Sequence, residues 1–334
     1  MPRVKPALVS IVIPAYNEEA NVRNLYMAVR DALAGVQLCE VIFVDDGSED
    51  RTADCVRRLR SEGHPVRLIR FGRNFGHQAA LLAGIEAALG DAVITMDCDL
   101  QHPPAFLPRM IEEWRSGAKL VQMVRKETEG AGFFKRLTSK LFYVLLNSIS
   151  ETPVVRGAAD FQLMDRSVVE ALLRFKDRRP FLRGLVTWLG FDSTQIEYVA
   201  PARRNGKSSY ALRKMLSLSL HALTGLSSKP LRLSFYLGVA TALLSIVYGL
   251  FALIALLAGR TVPGWTSVIV AVTFLGSVQL VSIGIAGEYI ARIYEQARGV
   301  PRFVIVERDD DLWPTSEERR TAAGATGRIH VPAP

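Results

Sequence analysis

The sequence has few cysteines, and none of them stands in a metal-binding spacing. Its 334 residues include three cysteines, Cys39, Cys55 and Cys98, and no C-x-x-C pair. An odd number without that spacing argues against a disulfide framework and against the usual zinc-binding pattern. We therefore expect the protein to work in reducing surroundings.

Two common nucleotide-binding motifs and a signal peptide are also missing. Neither G-x-G-x-x-G nor G-x-x-x-x-G-K-[ST] occurs, which argues against a dinucleotide-binding fold and a P-loop. The apolar run from Ala7 to Ala15 contains Pro14 and leads into acidic residues, so it predicts a strand instead of a signal peptide. No internal repeat is apparent.

Charge is absent from two long stretches, Leu233 to Ala258 and Val262 to Gly287. Each exceeds the roughly 20 residues that a helix needs to cross a bilayer, which predicts two transmembrane helices within 231–290. A pair of buried core helices is the alternative. Basic flanks place both outer ends in the cytoplasm. Small residues in the second stretch permit close helix packing and leave a homo-oligomer open.

The positive charge is concentrated just before these stretches. The net charge is +8, and the cluster consists of Arg203, Arg204, Lys207, Arg213, Lys214, Lys229 and Arg232. Such a cluster favours an anionic membrane surface and phosphate ligands over nucleic acid. Residues 209–230 predict an amphipathic helix lying in the membrane interface. The tail, 291–334, is expected to be cytosolic and, from about Glu307 onward, disordered.

Residues 1–208 alternate short apolar runs with helical patterns, which predicts an α/β domain with a mostly parallel sheet. The predicted strands are Leu8–Ile13, Glu40–Val44, Val66–Phe71, Ala92–Met96, Lys119–Val124, Phe161–Met164 and Thr194–Val199. Ligands of open α/β sheets bind at the carboxyl ends of the strands. The residues that follow each predicted strand are therefore the candidates for ligand binding.

The fourth predicted strand runs into Asp97-Cys98-Asp99. Alternation sends both carboxylates to one side, where they repel unless a cation lies between them. Oxygen ligands favour Mg²⁺ or Mn²⁺, and Mg²⁺ is often held by one or two carboxylates and substrate phosphates. The motif therefore predicts a metal-dependent diphosphate site, with a solvated acidic turn as the alternative.

Other strand ends carry a compatible set of residues. Tyr16 and Asp45 suit a nucleoside base and its ribose, and Gln101 follows the acidic pair. Asp46-Gly47 can also be read as a plain turn. His77, after the third strand, is predicted to be a surface or capping histidine. Agreement among four strand ends favours a nucleotide-diphosphate site.

These segments resemble the signatures of family 2 glycosyltransferases with the GT-A fold. The matching runs are Val9 to Glu18, Val44-Asp45-Asp46-Gly47-Ser48 and Asp97 to Pro104. The branch is similar to dolichyl-phosphate mannose synthases and bacterial undecaprenyl-phosphate sugar transferases, over roughly residues 7 to 300. The resemblance implies a Rossmann-like cytosolic domain, an interfacial helix and two transmembrane helices.

The resemblance also implies roles for individual residues. Nucleotide-sugar contacts are implied for Pro14, Tyr16, Glu18, Asp45, Asp46, Asp97 and Arg125. Asp97, Asp99 and Gln101 would hold Mg²⁺ or Mn²⁺ with the diphosphate, and Asp160 is the candidate catalytic carboxylate. Arg203, a second catalytic candidate, would bind the acceptor phosphate with Arg204 and Lys207, although simple attraction to the membrane surface explains this basic run equally. Ser209 stands where the branch commonly has Lys.

The implied reaction is inverting transfer of a sugar, glucose from UDP-glucose, to a polyprenyl phosphate at the bacterial inner membrane. Transfer of mannose from GDP-mannose is the alternative. A processive polysaccharide synthase would carry a Q-x-x-R-W-type motif and more membrane helices, and neither is present in the sequence. A catalytically silent scaffold is disfavoured by the intact Asp97, Asp99, Gln101 and Arg203.

Overall fold

Eight strands form one sheet in the computed structural model, which describes residues 8–34, 39–126, 158–175, 182–199, 229–259 and 264–309. The strands are β1 (Val9–Ala15), β2 (Cys39–Asp45), β3 (Val66–Phe71), β4 (Ala92–Thr95), β5 (Leu120–Arg125), β6 (Ala158–Asp165), β7 (Ser193–Tyr198) and β8 (Ile305–Arg308). Their order is β7-β5-β6-β4-β1-β2-β3-β8. The four strands from β4 to β3 run parallel, which confirms the α/β prediction, whereas β6 and β8 run antiparallel to their neighbours.

Helices connect the strands and cover the sheet. They are α1 (Glu19–Ala32), α2 (Thr52–Ser61), α3 (His77–Ala87), α4 (Leu107–Arg115), α5 (Arg166–Leu173) and α6 (Leu182–Trp188). In α1 the buried residues Val22, Leu25, Tyr26 and Val29 recur every three or four positions, so one face of the helix enters the core. The same core contains the fully buried Phe43.

The end of β4 shapes the acidic motif. The strand stops at Thr95, one residue earlier than predicted, and Asp97 to Asp99 lie in the turn that follows. Leu100 has a φ of 61°, in the left-handed region, so the chain reverses here. Cys98 is buried whereas the two aspartates beside it are partly exposed. The alternation predicted for the strand therefore persists into the turn.

The prediction of disorder from Glu307 onward is wrong for the first residues of that segment. β8 pairs with β3, and the described part of the tail from Pro301 onward belongs to the α/β unit. Arg57 Nε lies 2.9 Å from a carboxylate oxygen of Glu307, and the Phe303 ring stacks on Phe71 with centroids 5.0 Å apart. The segment is ordered because it pairs with the otherwise open edge of β3 and makes these side-chain contacts. Its polar composition alone does not predict this order.

A buried ion pair joins the amino ends of the central strands. Arg67 Nη1 lies 3.1 Å from Glu40 Oε2, and both side chains are almost completely buried. The other oxygen of Glu40 accepts hydrogen bonds from Ser10 Oγ at 2.5 Å and from the Leu89 backbone N–H at 2.7 Å. This network lies at the sheet edge opposite to the acidic motif.

The second unit contains two long apolar helices that contact each other, α7 (Lys229–Leu257) and α8 (Trp265–Ala297). Residues 231–255 and 270–297 are long and apolar enough to cross a membrane, judged by length and composition. α8 continues seven residues beyond the predicted limit at 290. The predicted interfacial helix at 209–230 lies almost entirely outside the described residues.

Candidate active site

The acidic turn after β4 presents one carboxylate oxygen without a partner. Asp97 Oδ1 is buried and has no hydrogen-bond partner among the described residues; His77 Nε2 lies 3.4 Å away. Asp99 Oδ1 accepts the backbone N–H of Gln101 at 3.1 Å, which tightens the turn. An unpaired buried acceptor is costly, so its presence suggests that a bound group completes the site.

His102 holds this turn in place through a hydrogen bond. Its Nδ1 accepts the backbone N–H of Asp97 at 2.8 Å, and its ring stacks on Phe161 with centroids 5.0 Å apart. Burial is the largest influence on His102 and lowers its pKa, so the neutral imidazole that can accept this bond is favoured. His102 belongs to the Asp97–Pro104 run, although the sequence alone predicts no role for it.

We expect His102→Phe to weaken binding of UDP with Mn²⁺ about tenfold. The phenyl ring can keep the stacking on Phe161, but it leaves the buried N–H of Asp97 without an acceptor, a loss of roughly 1–3 kcal/mol. Calorimetric titration measures the effect. His102→Asn, whose amide oxygen can replace Nδ1, should restore most of the affinity. Equal losses in both variants would contradict the role of the hydrogen bond.

The oxygen donors here fit a hard divalent cation whose remaining ligands come from the substrate. Asp97 Oδ1 is unpartnered, Asp99 lies two residues away, and the Gln101 side chain adds an amide oxygen, 3.3 Å from Arg125 Nη1. In the described ranges, no group of three or more His, Cys, Asp and Glu residues is arranged to hold a metal by itself. Mg²⁺ is commonly bound by one or two carboxylates together with substrate phosphates, so these residues suit that arrangement.

The ends of β1 and β2 present the residues predicted to bind the nucleotide. Tyr16 is 43% exposed directly after β1, in which Pro14 is buried. Asp45 Oδ1 accepts the Ser48 N–H at 2.9 Å. Its Oδ2 is buried 3.1 Å from Arg70 Nε, without a hydrogen bond of suitable geometry within the described residues. Asp45 therefore retains an acceptor for a ligand hydroxyl or N–H group.

Glu18 lies close to the acidic turn. Burial raises its pKa most, the hydrogen bond from Asn21 opposes this, and the charges of Asp99 and Asp97 raise it further. Proximity to these two aspartates connects the end of β1 electrostatically with the end of β4.

Asp46 fixes the loop that follows β3. Its carboxylate accepts the backbone N–H of Phe75 at 2.7 Å and that of Gly76 at 2.9 Å. Gly47 has a φ of 71°, and a Cβ there would lie 2.4 Å from the Arg73 carbonyl carbon, so this close approach requires glycine. The observed contacts of Asp46 are with the protein backbone, and its contact with a nucleotide stays a prediction.

Asp160, on β6, is a buried carboxylate surrounded by donors. Arg183 Nε and Nη2 donate to its two oxygens at 2.7 and 2.8 Å, and Gln78 Nε2 donates at 3.1 Å. His77 Nε2 lies 3.3 Å from Oδ2. Burial alone would raise the pKa of Asp160, but the His77 and Arg183 contacts hold it well below the usual range. Asp160 is therefore an ionised carboxylate.

The prediction of His77 as a surface histidine is confirmed, since its side chain is 42% exposed at the start of α3, but it missed the contacts of the imidazole. Its Nε2 contacts both Asp97 and Asp160, as the distances above show. Burial would lower its pKa, but the hydrogen bond to Asp160 and the charge of Asp97 outweigh this and raise it. A position at the carboxyl end of β3, the same edge as the other site residues, is the sequence signal that could have identified it.

The structure thus brings most of the predicted residues to one edge of the sheet. Arg125 reaches the site through Gln101, and Asp160 reaches it through His77. Arg203, Arg204 and Lys207 lie outside the described residues. The sequence predictions missed Gln78, Arg183 and the role of His102. Gln78 and Arg183 stand in no local motif, whereas His102 lies within the Asp97–Pro104 run.

Comparisons with known proteins show the family of this chain. The glycosyl transferase family 2 model matches residues 10–173, and the GtrB C-terminal hairpin matches residues 229–293. Over 298 residues the chain is 39% identical to the uncharacterized glycosyltransferase YkcC of Bacillus subtilis, covering 89% of this chain and 92% of that protein. The chain belongs to glycosyltransferase family 2.

Other relatives of this glycosyltransferase have more specific names. It is 38% identical over 303 residues to the bactoprenol glucosyl transferase of Shigella phage SfX, covering 90% of this chain and 99% of that protein. A solved structure of the mannosyltransferase PcManGT from Pyrobaculum calidifontis, with GDP-Man and Mn²⁺, has 19% identity and a TM-score of 0.49. The match covers 86% of this chain and 88% of that one.

Proposed function

We propose that this glycosyltransferase transfers glucose from UDP-glucose to the phosphate of a membrane polyprenyl phosphate, undecaprenyl phosphate. The observation that carries the proposal is its 38% identity, over nearly the whole length of both chains, with the bactoprenol glucosyl transferase of phage SfX. The acidic turn and the Asp45 carboxylate suit the nucleotide-diphosphate part of such a donor.

In the proposed step, an oxygen of the acceptor phosphate forms a bond to the anomeric carbon of the sugar. The bond from that carbon to the diphosphate oxygen breaks, its electron pair leaves with UDP, and the anomeric configuration inverts. A phosphate monoester is largely doubly ionised at pH 7, since its second pKa is about 6. No strong general base is therefore required, which agrees with an Asp160 carboxylate already committed to its donors.

The residues at this end of the sheet would bind different parts of the donor. Tyr16, Glu18 and Asp45 would bind the nucleoside, and Arg125 would face the diphosphate. Asp97, Asp99 and Gln101 would hold Mg²⁺ or Mn²⁺, which when bound supplies charge neutralisation for the departing diphosphate. The turn is already fixed by His102, so these ligands need little rearrangement.

The acceptor explains the apolar hairpin. Each buried CH₂ of a lipid contributes about 0.8 kcal/mol to membrane attachment, so a polyprenyl phosphate stays in the bilayer and the enzyme must reach it there. We propose that α7 and α8 span the bacterial inner membrane, with the α/β unit in the cytoplasm.

A panel of nucleotide-sugars tests the function. Purified protein is incubated with short-chain polyprenyl phosphate and radiolabelled UDP-glucose, GDP-mannose or other donors. Label in an organic-extractable, mild-acid-labile product only with UDP-glucose supports the proposal. Preference for GDP-mannose would replace the sugar, label in polymer would indicate a polysaccharide synthase, and donor binding without transfer would indicate a scaffold.

We expect Arg203→Ala to raise the KM for polyprenyl phosphate at least about tenfold while leaving the donor KM within about twofold. One lost charge-assisted phosphate contact accounts for that change. Arg203→Lys should recover only part, because Lys provides a point charge and Arg a planar fork. Both constants are measured in detergent at low and high salt.

Arg204→Ala and Lys207→Ala are the matched controls for that measurement. If the basic cluster served only to attract anionic lipid, all three alanine variants would show equal, modest losses that high salt removes. That pattern would contradict a specific role for Arg203.

A further inference from the structure

The Asp160 carboxylate is better placed to hold a cation than to accept a proton. It is only 3% exposed, and its two oxygens together accept hydrogen bonds from Arg183 and Gln78 and contact His77. Its backbone carbonyl also accepts a hydrogen bond from Thr95 Oγ1 at 2.7 Å, which ties it to the strand that leads into the acidic turn. A carboxylate held this way is a fixed anchor.

Arg183 is the cation that this anchor fixes most firmly. Its guanidinium makes two parallel hydrogen bonds to Asp160, a geometry that holds the plane of the group as well as its position. The preceding residue is held too, because the Leu182 N–H donates to Gln78 Oε1 at 3.1 Å. The same Gln78 side chain therefore binds both Asp160 and the first residue of α6.

The side chain of Arg183 nevertheless reaches solvent, being 38% exposed whereas Asp160 is buried. Arg183 and His77 both contact the Asp160 carboxylate, and His77 also lies 3.4 Å from Asp97. Arg125, by contrast, contacts Gln101 beside the acidic turn, where the donor diphosphate would bind. Arg183 is thus associated with the Asp160 carboxylate, and Arg125 with the Gln101 amide.

The negative charges around the acceptor phosphate explain why a cation besides Arg125 is needed near Asp160. The donor diphosphate would have a divalent cation and Arg125 to offset its charge, but the incoming acceptor phosphate must approach Asp97, Asp99 and Asp160 as well as that diphosphate. Like charges so close cost several kcal/mol unless a cation lies between them. An arginine already oriented by a carboxylate meets this need without losing side-chain freedom on binding.

We propose that Arg183 binds the phosphate of the acceptor lipid during transfer and that Asp160 is the positioning residue that orients it. The proposal rests on the function proposed above. It adds Arg183 to the acceptor contact that the sequence assigns to Arg203, and it makes Asp160, the predicted catalytic carboxylate, a positioning residue.

The test compares substrate constants in the full-length enzyme. Arg183→Gln is expected to raise the KM for a short-chain polyprenyl phosphate about 30-fold and to leave the KM for UDP-glucose within about twofold, as loss of one charge-assisted contact predicts. Arg183→Lys should recover part of the loss. Arg109→Gln, an exposed arginine on α4, is the matched control and should leave both constants unchanged.

A double-mutant cycle separates positioning from independent action. If Asp160 acts through Arg183, Asp160→Asn should also raise the acceptor KM, and the double variant should be no more than about twofold worse than Arg183→Gln. Losses that multiply, or a donor KM that rises as much as the acceptor KM, would overturn the proposal. Thermal melting of each variant identifies any change that reflects folding.

A direct binding measurement tests the role of Arg183 independently of the proposed function. Calorimetry measures the affinity of short-chain polyprenyl phosphate for the wild type and for Arg183→Gln in the presence of UDP and Mn²⁺. If no donor gave a lipid-linked sugar, the proposed function would fail, but weaker lipid binding in the variant would still support Arg183. Equal affinities would overturn its role.

Discussion

Asp99→Ala is expected to lower glycosyl transfer at least about a thousandfold at any practical Mg²⁺ or Mn²⁺ concentration. The change removes a proposed metal ligand and, with it, several kcal/mol of stabilisation for the charge that develops on the leaving diphosphate. It also removes the carboxylate that accepts the Gln101 N–H. Asp97→Ala should be similarly severe and should weaken donor binding in addition.

Initial rates with radiolabelled donor and calorimetric titration of UDP with Mn²⁺ measure these effects. Glu170→Ala, which removes an exposed carboxylate from α5, is the control and should keep wild-type rates. Activity that survives in excess EDTA, or an Asp99→Ala variant that binds UDP and Mn²⁺ normally, would contradict the metal assignment.

Glu40→Ala is expected to lower the free energy of unfolding of the α/β unit by about 3–5 kcal/mol. The substitution leaves the Arg67 guanidinium buried without its carboxylate, and breaking a buried pair from one side costs roughly that much. It also removes the acceptor of two further hydrogen bonds. The midpoint of thermal unfolding should fall by about 10 °C.

Replacing both partners is the informative control for this pair. Glu40→Leu combined with Arg67→Met removes the unpaired charge, so it should recover much of the lost stability. Because the pair lies at the sheet edge opposite to the site, the KM values of the folded fraction should not change. A double variant as unstable as Glu40→Ala would show that hydrogen bonds, not the unpaired charge, dominate the loss.

Much of the fold could be predicted because each strand is marked locally. The run from Val66 to Phe71 has four apolar residues and two arginines and is bounded by turn residues, and it is a strand at those limits. The acidic turn was equally visible, since its residues are adjacent in sequence. Residues with chemistry at the ends of parallel strands meet at one edge of the sheet, so a local reading was sufficient to collect them.

The rest depends on contacts between residues that are distant in sequence. Asp160 and Arg183 are 23 residues apart, and Arg183 carries no spacing that distinguishes it from other arginines. His77 resembles an ordinary residue at a helix start until β6 places Asp160 beside it. Predicting β8 would have required knowing that the edge of β3 is open, and no local pattern in the tail shows this.

The position of β8 in the chain also bears on biosynthesis. The strand that completes the edge of the sheet is encoded after both apolar helices, so the ribosome must make the hairpin before β3 can acquire this neighbour. Because chains emerge from the amino end, the nascent α/β unit keeps one unpaired edge while the helices are being made. An open edge can pair with other chains, so a polypeptide truncated before residue 301 should be prone to aggregation.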